Sequence, residues 1–317
     1  MSEKSNNQGR AFEFACLTVL QTEIEKFRPV RTDKGGSYGA AQRAWEETPD
    51  EEQEKLMQGA TAAAQTVFSL EPLITEDGND LLTLSLQADE AGERGDVRDI
   101  LIIRRAILWE IGLSVKHNHF AVKHSRLSDN VDFGEKWFGV PCSEEYWRKI
   151  QPIFDRLRTE KEKGTLWREM DDKAQNIYLP LLNAFMEEVQ RADATHKGIP
   201  RKMTEYLLGE YDFYKVIGID AKRVTEIQAY NLRGTLNRAG KHSKPARLVP
   251  ITALPTRIVS LDFKPNSTNT VELYMDNGWQ FSFRIHNAAT KVEPSLKFDI
   301  QLIGLPVTIL SLQCSWQ

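Results

Sequence analysis

The sequence predicts a mixed α/β fold in which helices accompany a central β-sheet. Three segments with the pattern of strands lie close together at residues 81–87, 99–105 and 109–118. A helical pattern over residues 9–27 precedes them, and the chain is β-like from about residue 248 onward. A helix followed by clustered strands is typical of an α/β core with a sheet at its centre.

The first predicted element is an amphipathic helix over residues 9–27. Its apolar residues recur three and four positions apart, so they share one face that can pack against a core. Residues 40–70 are rich in Ala, Gln and Glu, which also indicates a helix. The acidic stretch 46–54 within them is expected to be a solvated face.

The middle of the chain returns to a helical pattern after the three strands. Residues 143–192 carry many charges, with apolar residues at spacings of three and four. The stretch 192–202 contains Gly198 and Pro200, and it is the best candidate for an internal boundary.

The end of the chain is predicted to be built from short strands separated by Pro, Asn and Gly. Between two of them, Asn277 and Gly278 predict a hairpin, because Asn-Gly suits a type I′ turn. The strand-like segments are residues 257–263, 270–276, 279–286, 297–304 and 308–313.

The composition is that of an ordinary globular protein. The chain has 317 residues, 41 of them Lys or Arg and 45 Asp or Glu, which gives a formal net charge of −4. This balance excludes a disordered tail, a collagen and a disulfide-rich mini-protein. Because the average charge is slightly acidic, any surface for nucleic acid must be local.

The cysteines and the chain start predict a cytoplasmic protein. Cys16, Cys142 and Cys314 lie far apart and are odd in number, which favours reduced thiols over a disulfide framework or a zinc ribbon. The first ten residues are polar and lack the apolar region of a secretory signal. The most apolar stretches are too short to span a bilayer.

Chemistry is indicated where two neighbouring strands carry an acid and a lysine. In residues 109–118 the alternation places Ser114 and Lys116 on the polar face, and Asp99 opens the preceding strand. A carboxylate can bind Mg²⁺, the ion can polarise a phosphoryl group, and a lysine can hold or help deprotonate the attacking water. Metal-assisted phosphodiester hydrolysis needs such a pair. The alternative is a structural ion pair at a sheet edge, which from spacing alone is the commoner case.

Asp99, followed by Ser114, Val115 and Lys116, is similar to the PD-(D/E)xK nuclease motif. Residues 9–13, Gly-Arg-Ala-Phe-Glu, are similar to the G-x-x-F-E first helix of that fold. Over most of its length the chain resembles the type II restriction endonucleases of the HaeIII family. The segments that carry this resemblance are residues 112–128, 204–220 and 279–304.

The resemblance implies a PD-(D/E)xK-like restriction endonuclease core and a set of site residues. Asp99 and Glu13, with the carbonyl of Val115, are expected to bind Mg²⁺, and Lys116 to act on the water and the phosphate. The implied reaction cuts both strands of a short palindromic site, GGCC in the relatives. It leaves 5′-phosphates and 3′-hydroxyls.

The chain departs from the motif at Ser114, where an acid usually stands two residues before the lysine. Glu110 shares the polar face, but four strand residues span ~13 Å, which is too far for a direct replacement. Asp96 competes with Asp99 as the first carboxylate. We prefer Asp99 because it directly opens the apolar run.

Contacts to DNA are predicted from basic residues in three places. Lys123 and Arg126 follow the lysine of the motif and suit phosphates near the scissile bond. Residues 221–247 hold seven Lys or Arg and one Glu, and such an excess suits a phosphate-tracking surface or simply a solvated loop. The candidates for phosphates or base edges are Asn231, Arg233, Asn237, Arg238, Lys241, Arg284, His286 and Asn287.

His117 and His119 form a His-x-His pair in this region. Further metal ligands do not cluster near them in the sequence, so ordinary hydrogen-bonding histidines are favoured over a zinc site.

Taken together, the chain is expected to have a catalytic nuclease core over 1–135, a helical insertion over 136–202 and a β-rich recognition part over 203–317, which completes one compact unit. Double-stranded DNA is the expected partner, and a two-fold symmetric site favours a homodimer. A cognate DNA methyltransferase is expected in the same restriction-modification system, but not as a bound subunit. Because of Ser114, a DNA-binding module with a degenerate site stays open, as does a repair nuclease that reads DNA structure.

Overall fold

The fold is described from a computed structural model over residues 3–88, 95–239 and 248–317. The chain forms two compact units, each assembled from segments that are distant in sequence. The first unit contains Met1–Phe120, Gly209–Ala253 and Val307–Gln317, and the second contains Ala121–Leu208 and Leu254–Pro306. The predicted segments 1–135, 136–202 and 203–317 are continuous stretches and follow a different division.

Helices and strands both occur in each unit, which confirms the mixed α/β class. The α-helices of the described residues are α1 (Glu3–Ile24), α2 (Tyr38–Glu46), α3 (Asp50–Leu70), α4 (Phe133–Phe138), α5 (Glu144–Glu162), α6 (Leu179–Thr195) and α7 (Ile199–Leu208). The strands are β1 (Val30–Asp33), β2 (Leu82–Leu86), β3 (Ile100–Arg104), β4 (Trp109–His117), β5 (Ala121–Leu127), β6 (Phe213–Ile219), β7 (Val224–Tyr230), β8 (Ile258–Phe263), β9 (Thr270–Met275), β10 (Gln280–His286), β11 (Leu296–Gly304) and β12 (Leu310–Ser315).

The first unit is built on a mixed sheet of seven strands in the order β1-β2-β3-β4-β6-β7-β12. The pairs β1/β2 and β4/β6 are parallel, and the other neighbours are antiparallel. Helix α1 packs against β4, and α3 packs against β6 and β7. The three strands predicted from residues 81–118 are confirmed as β2, β3 and β4.

One face of β4 is apolar, as its alternation predicts. Ile111, Leu113 and Val115 are buried in the core of the first unit together with Phe12 and Leu20 of α1. The predicted amphipathic first helix is thereby confirmed, although it begins at Glu3 and ends at Ile24. The opposite face of β4 carries the polar side chains, and this separation positions the candidate site.

The second unit is built on an antiparallel sheet of five strands in the order β5-β11-β10-β9-β8. Its aromatic core joins helices to one sheet face: the ring of Phe185 lies 5.1 Å from that of Phe298 and 5.7 Å from that of Phe283. The predicted hairpin is confirmed between β9 and β10. Asn277 and Gly278 both adopt positive φ there, which these two residue types tolerate best.

The stretch 192–202, predicted as an internal boundary, is mostly helical. Helix α6 continues to Thr195, and α7 begins at Ile199. Gly198 supplies a single residue of positive φ between the helices. Pro200 lies in the first turn of α7, where its missing N–H is not needed. Gly and Pro therefore mark a tight helix–helix turn here.

A carboxyl group is buried at the end of α3. Glu71 is fully buried, and its Oε1 accepts hydrogen bonds from Tyr214 Oη at 2.8 Å and from Asn237 N at 2.6 Å. Burial raises the pKa of Glu71 to about 7, and the hydrogen bonds from Tyr214 and Asn237 only partly oppose it. The folded protein therefore holds a proton here that the unfolded chain gives up at lower pH.

Glu71→Gln is expected to remove a pH dependence from stability. An unfolded glutamate has a pKa of about 4.3, so between that pH and about 7 the native state binds the extra proton and stability falls as pH rises. Across this range the free energy of unfolding of the wild type should fall by up to about 3 kcal/mol relative to that of the variant. Urea unfolding at pH 5 and pH 7.5 measures the difference.

Glu188→Gln is the matched control. Glu188 is also buried, but bonds from Arg191 and Ser143 outweigh burial and lower its pKa. Its contribution to stability is therefore present above the unfolded pKa and lost as pH falls. Glu188→Gln should thus remove a stabilisation that grows with pH, whereas Glu71→Gln removes one that declines with pH. Parallel curves for the wild type and Glu71→Gln would contradict the assignment.

Candidate active site

The candidate site lies where β3 begins and β4 ends. Asp99 directly precedes β3, and its backbone N–H donates to Leu113 O at 2.7 Å. The antiparallel register pairs Ile100 with Leu113, so Asp99 lies beside Ser114 on the polar face. The strands predicted from alternation thus bring the acid and the motif together.

The carboxylate of Asp99 is held by three groups from β4. Its Oδ2 accepts hydrogen bonds from Val115 N at 2.6 Å and from Lys116 Nζ at 2.9 Å. The hydroxyl of Ser114 donates to the same oxygen at 3.4 Å. Backbone and side chains therefore fix Asp99 together, and Ser114 supports the acid at the place where the motif usually has another acid.

Lys116 is half-buried beside Asp99. Burial lowers the pKa of Lys116, but the charges of Asp99 and Glu13 outweigh it, and the net pKa lies above the ordinary lysine value. Lys116 is therefore an ammonium at neutral pH and acts as a donor and a positive charge. The influence of Glu13 on Lys116 brings the helix acid to the same site as Asp99.

Helix α1 is anchored next to Glu13 by Phe12. The ring of Phe12 lies 5.6 Å from that of His117 at the end of β4. It also covers Gly218 of β6, where a Cβ atom would lie 3.0 Å from the ring. A glycine at position 218 allows this close approach, and the next helix residue is thereby directed to the strand ends.

Asp96 and Glu110, the competing acids, are engaged by Arg98. Asp96 accepts from Nε and Nη2 of Arg98, each at 2.8 Å, and Glu110 accepts from Nη1 at 2.7 Å. Arg98 is only 5% exposed, and it lies across Gly112, where a Cβ would come within 2.1 Å of its Cδ. These contacts favour a structural role for Asp96 and Glu110, and they leave Asp99 as the acid beside Lys116.

The His-x-His pair does not form a metal cluster. His117 Nε2 lies 2.8 Å from Asp220 Oδ1, and Asn118 Nδ2 donates to Asp220 Oδ2 at 2.9 Å. Throughout the described ranges, no group of three or more His, Cys, Asp or Glu side chains could hold a metal ion. The donors predicted for the site are two carboxylates and a backbone carbonyl. This set suits Mg²⁺, which proteins often hold through one or two carboxylates while waters and phosphates complete the shell.

Several predicted DNA contacts have internal roles. Lys123 Nζ donates to Tyr206 O at 2.9 Å, and Arg233 Nε donates to Glu210 O at 2.5 Å. Asn231 is buried, and its amide bonds Val249 O and Leu236 N.

Asn237 and Asn287 are buried as well. The amide of Asn287 bonds three backbone groups of its own loop. These polar side chains therefore stabilise loops of the fold.

Other predicted contacts lie on the polar face of the five-stranded sheet, opposite its aromatic core. The register of three adjacent strands pairs Lys297 of β11 with Arg126 of β5 on one side and with His286 of β10 on the other. It also pairs Arg284 with Asp299. Arg126 is exposed, and Arg284 donates to Asp299 Oδ2 at 3.2 Å. Lys297 was not predicted from the sequence. Arg238 is half-buried in the first unit, and Lys241 lies outside the described residues.

The sequence reasoning also missed Lys215, which β6 places beside Ser114. A lone lysine inside the apolar run Phe213–Ile219 was the available signal. Its significance depends on which strand lies alongside, and the run itself does not reveal its neighbour.

Comparisons with known proteins give a consistent result. A family model described as HaeIII restriction endonuclease matches residues 9–306. The type II restriction enzyme HaeIII of Haemophilus aegyptius is 52% identical over 318 residues, covering 100% of this chain and 100% of that protein. No solved structure matches the chain. Among the described residues, no helix is long and apolar enough to cross a membrane.

Proposed function

The chain belongs to the HaeIII restriction endonuclease family, and from this premise we propose that it cuts double-stranded DNA at GGCC with Asp99, Glu13 and Lys116. As a type II restriction endonuclease it is a site-specific deoxyribonuclease that acts on DNA. Enzymes of this class generally need a divalent metal ion. The single observation that supports the site is the ion pair of Lys116 Nζ with Asp99 Oδ2, at 2.9 Å, where β3 begins and β4 ends.

The chemistry proposed for the site divides between binding the ion and handling the phosphate. Asp99, Glu13 and the carbonyl of Val115 would hold Mg²⁺, which would polarise the phosphoryl group and lower the pKa of water. Lys116 donates to the phosphate or to the attacking water and offsets the charge that develops. Ser114 and Val115 N keep the Asp99 carboxylate in place. Water attacks phosphorus and gives up a proton to solvent, the bond between phosphorus and the 3′ oxygen breaks, and the 3′ oxygen takes up a proton from solvent.

The oligomeric state is proposed from the symmetry of the DNA site, and the cellular location from the cysteines. A two-fold symmetric site favours a homodimer, because each subunit can then address one half-site and one strand. A cognate DNA methyltransferase belongs to the same system without being a bound subunit. A cytoplasmic setting agrees with three free cysteines.

The proposed contacts to DNA phosphates are the basic side chains that lie on the polar face of the five-stranded sheet, with Arg238 and Lys241 from the first unit. Arg126, Arg284 and His286 have the chemistry for phosphates or guanine edges. Lys123, Asn231, Arg233 and Asn287 also bond groups within the fold, and their contacts to DNA stay predictions.

The function is tested by digesting a long unmethylated duplex with purified protein in Mg²⁺ or in EDTA. Discrete fragments in Mg²⁺ alone, with ends that map to GGCC, are the expected result. Fragments that map elsewhere would overturn the recognition sequence but leave the activity. No cleavage by folded protein would favour a binding module, and cleavage of branched DNA alone would favour a structure-specific nuclease.

Arg126→Ala is expected to weaken DNA binding in a salt-dependent way. Loss of one phosphate contact reduces the slope of log K against log salt concentration by about 0.9. Fluorescence anisotropy in EDTA over a series of salt concentrations measures this slope. Arg201→Ala is the matched control, because Arg201 is also an exposed arginine beside a carboxylate, that of Glu205. Equal slopes for both variants would remove Arg126 from the interface.

A further inference from the structure

Lys215 is a buried lysine one strand away from the candidate site. The parallel register of β4 and β6 pairs Ser114 with Lys215 and Val115 with Val216. Paired residues of neighbouring strands point to the same side, so Lys215 shares the polar face with Ser114 and Asp99. Its neighbours along β6, Val216 and Ile217, are fully buried apolar residues, and Lys215 itself is only 4% exposed.

The ammonium of Lys215 reaches the turn that follows Lys116. Its Nζ donates to Phe120 O at 2.9 Å. Phe120 comes four residues after Lys116, in the short connection that leaves β4. A side chain of β6 therefore bonds the backbone of the connection that follows β4.

A second set of contacts holds the same turn at its start. Asp220, just after β6, accepts from Asn118 Nδ2 and lies 2.8 Å from His117 Nε2. The backbone N–H of Asn118, a residue with positive φ, donates to Gly218 O at 2.8 Å. Residues of β6 and its end thus bond both ends of the connection 117–120.

The surroundings of Lys215 are unfavourable to a positive charge. Burial, followed by the charge of Lys116, lowers the pKa of Lys215 to about 7, and Glu226 opposes this only in part. An apolar side chain would avoid the desolvation of the ammonium. The bond to Phe120 O is a contact that an apolar residue of similar length could not make.

We propose that Lys215 is a positioning residue for DNA cleavage: from the strand beside Ser114 it holds the Phe120 carbonyl and so fixes the turn through which β4 leaves Lys116. The inference rests on the proposed site at Asp99 and Lys116. Small displacements of a reacting group reduce rates strongly, and a shift of about 1 Å can lower a rate about 100-fold. Loss of the bond should therefore act on the rate of cleavage more than on DNA binding.

The test is Lys215→Met, which keeps the length of the side chain and removes the donor and the charge. The single-turnover rate of GGCC cleavage in Mg²⁺ should fall about 10- to 100-fold. The dissociation constant for the same duplex in EDTA should stay within about twofold, because no phosphate contact is removed. Hydrogen exchange at residues 118–121 should become faster, whereas the amides of β3 should keep their protection.

Lys173→Met is the matched control, because Lys173 Nζ also donates to a backbone carbonyl, Met170 O at 3.0 Å, in the second unit. It should leave both cleavage and exchange at 118–121 unchanged. Lys215→Arg retains a donor and should recover part of the lost rate, and it serves as the second variant if Lys215→Met does not fold.

An unchanged rate in folded Lys215→Met would overturn the proposal, as would a fall in rate without faster exchange at 118–121. Lys116→Ala separates this failure from that of the proposed site. If Lys116→Ala abolishes cleavage while Lys215→Met does not, only the positioning role is wrong. If Lys116→Ala cleaves normally, the site itself is misplaced.

Discussion

Lys116→Ala is expected to lower the rate of DNA cleavage by about 100- to 1,000-fold or more while DNA binding survives. Removing one preorganised donor from the place where charge develops has an effect of this size in other enzymes. Lys116 is held at 2.9 Å from Asp99 and is charged at neutral pH, so the variant removes both a donor and a positive charge. Single-turnover cleavage in Mg²⁺ and anisotropy in EDTA measure the two quantities.

Lys116→Arg is the control for charge. Arginine keeps the positive charge but replaces a compact ammonium by a planar fork, so it should retain binding and recover only part of the rate. An unchanged rate in Lys116→Ala would remove Lys116 from the mechanism. A parallel loss of binding would place Lys116 among the ordinary phosphate contacts.

Asp99→Asn is expected to abolish both cleavage and the effect of metal on the protein. The amide has the same shape and can still accept from Val115 N, so the fold should persist. It lacks the charge that a hard divalent cation needs. Thermal unfolding is measured with excess Mg²⁺ and a duplex that lacks GGCC. The metal should raise the melting temperature of the wild type but not that of the variant, because a ligand stabilises only the state that binds it.

Asp96→Asn is the paired experiment, because Asp96 is the alternative first carboxylate. It loses charge-assisted bonds to Arg98, which should lower stability by about 1–3 kcal/mol. It should nevertheless keep its response to metal and most of its cleavage. The reverse outcome, with Asp99→Asn active and Asp96→Asn unresponsive to metal, would exchange the two assignments.

The sequence predicts the part of the site that lies within short stretches of chain. The alternation of residues 109–118 and the apolar run after Asp99 define β4 and β3, and the pairing of these neighbouring strands is local. It follows that Asp99 and Lys116 could be placed together before the fold was known. The choice between Asp99 and Asp96 needed the structure, because only the structure shows that Arg98 pairs with Asp96 and Glu110.

What the sequence could not predict depends on long-range pairing. Lys215 lies about a hundred residues beyond Ser114 in the chain, and only the β4/β6 register makes them neighbours. Asn231 and Asn287 have the residue type of DNA contacts, but burial and bonds to backbone groups decide their roles. Residues 192–202 have the composition of a linker, yet helices on both sides continue almost to each other.

Lys116 and a bound cation would compete for the same carboxylate oxygen of Asp99. The oxygen that would ligate a cation, Oδ2, already accepts the ammonium of Lys116 at 2.9 Å. A DNA phosphate offers Lys116 another anion and thereby releases part of the carboxylate. Metal and DNA should therefore raise each other's affinity by the same factor, as thermodynamic reciprocity requires. In an enzyme built in this way, each ligand alone would bind more weakly than it does beside the other, which would limit unproductive metal binding between encounters with DNA.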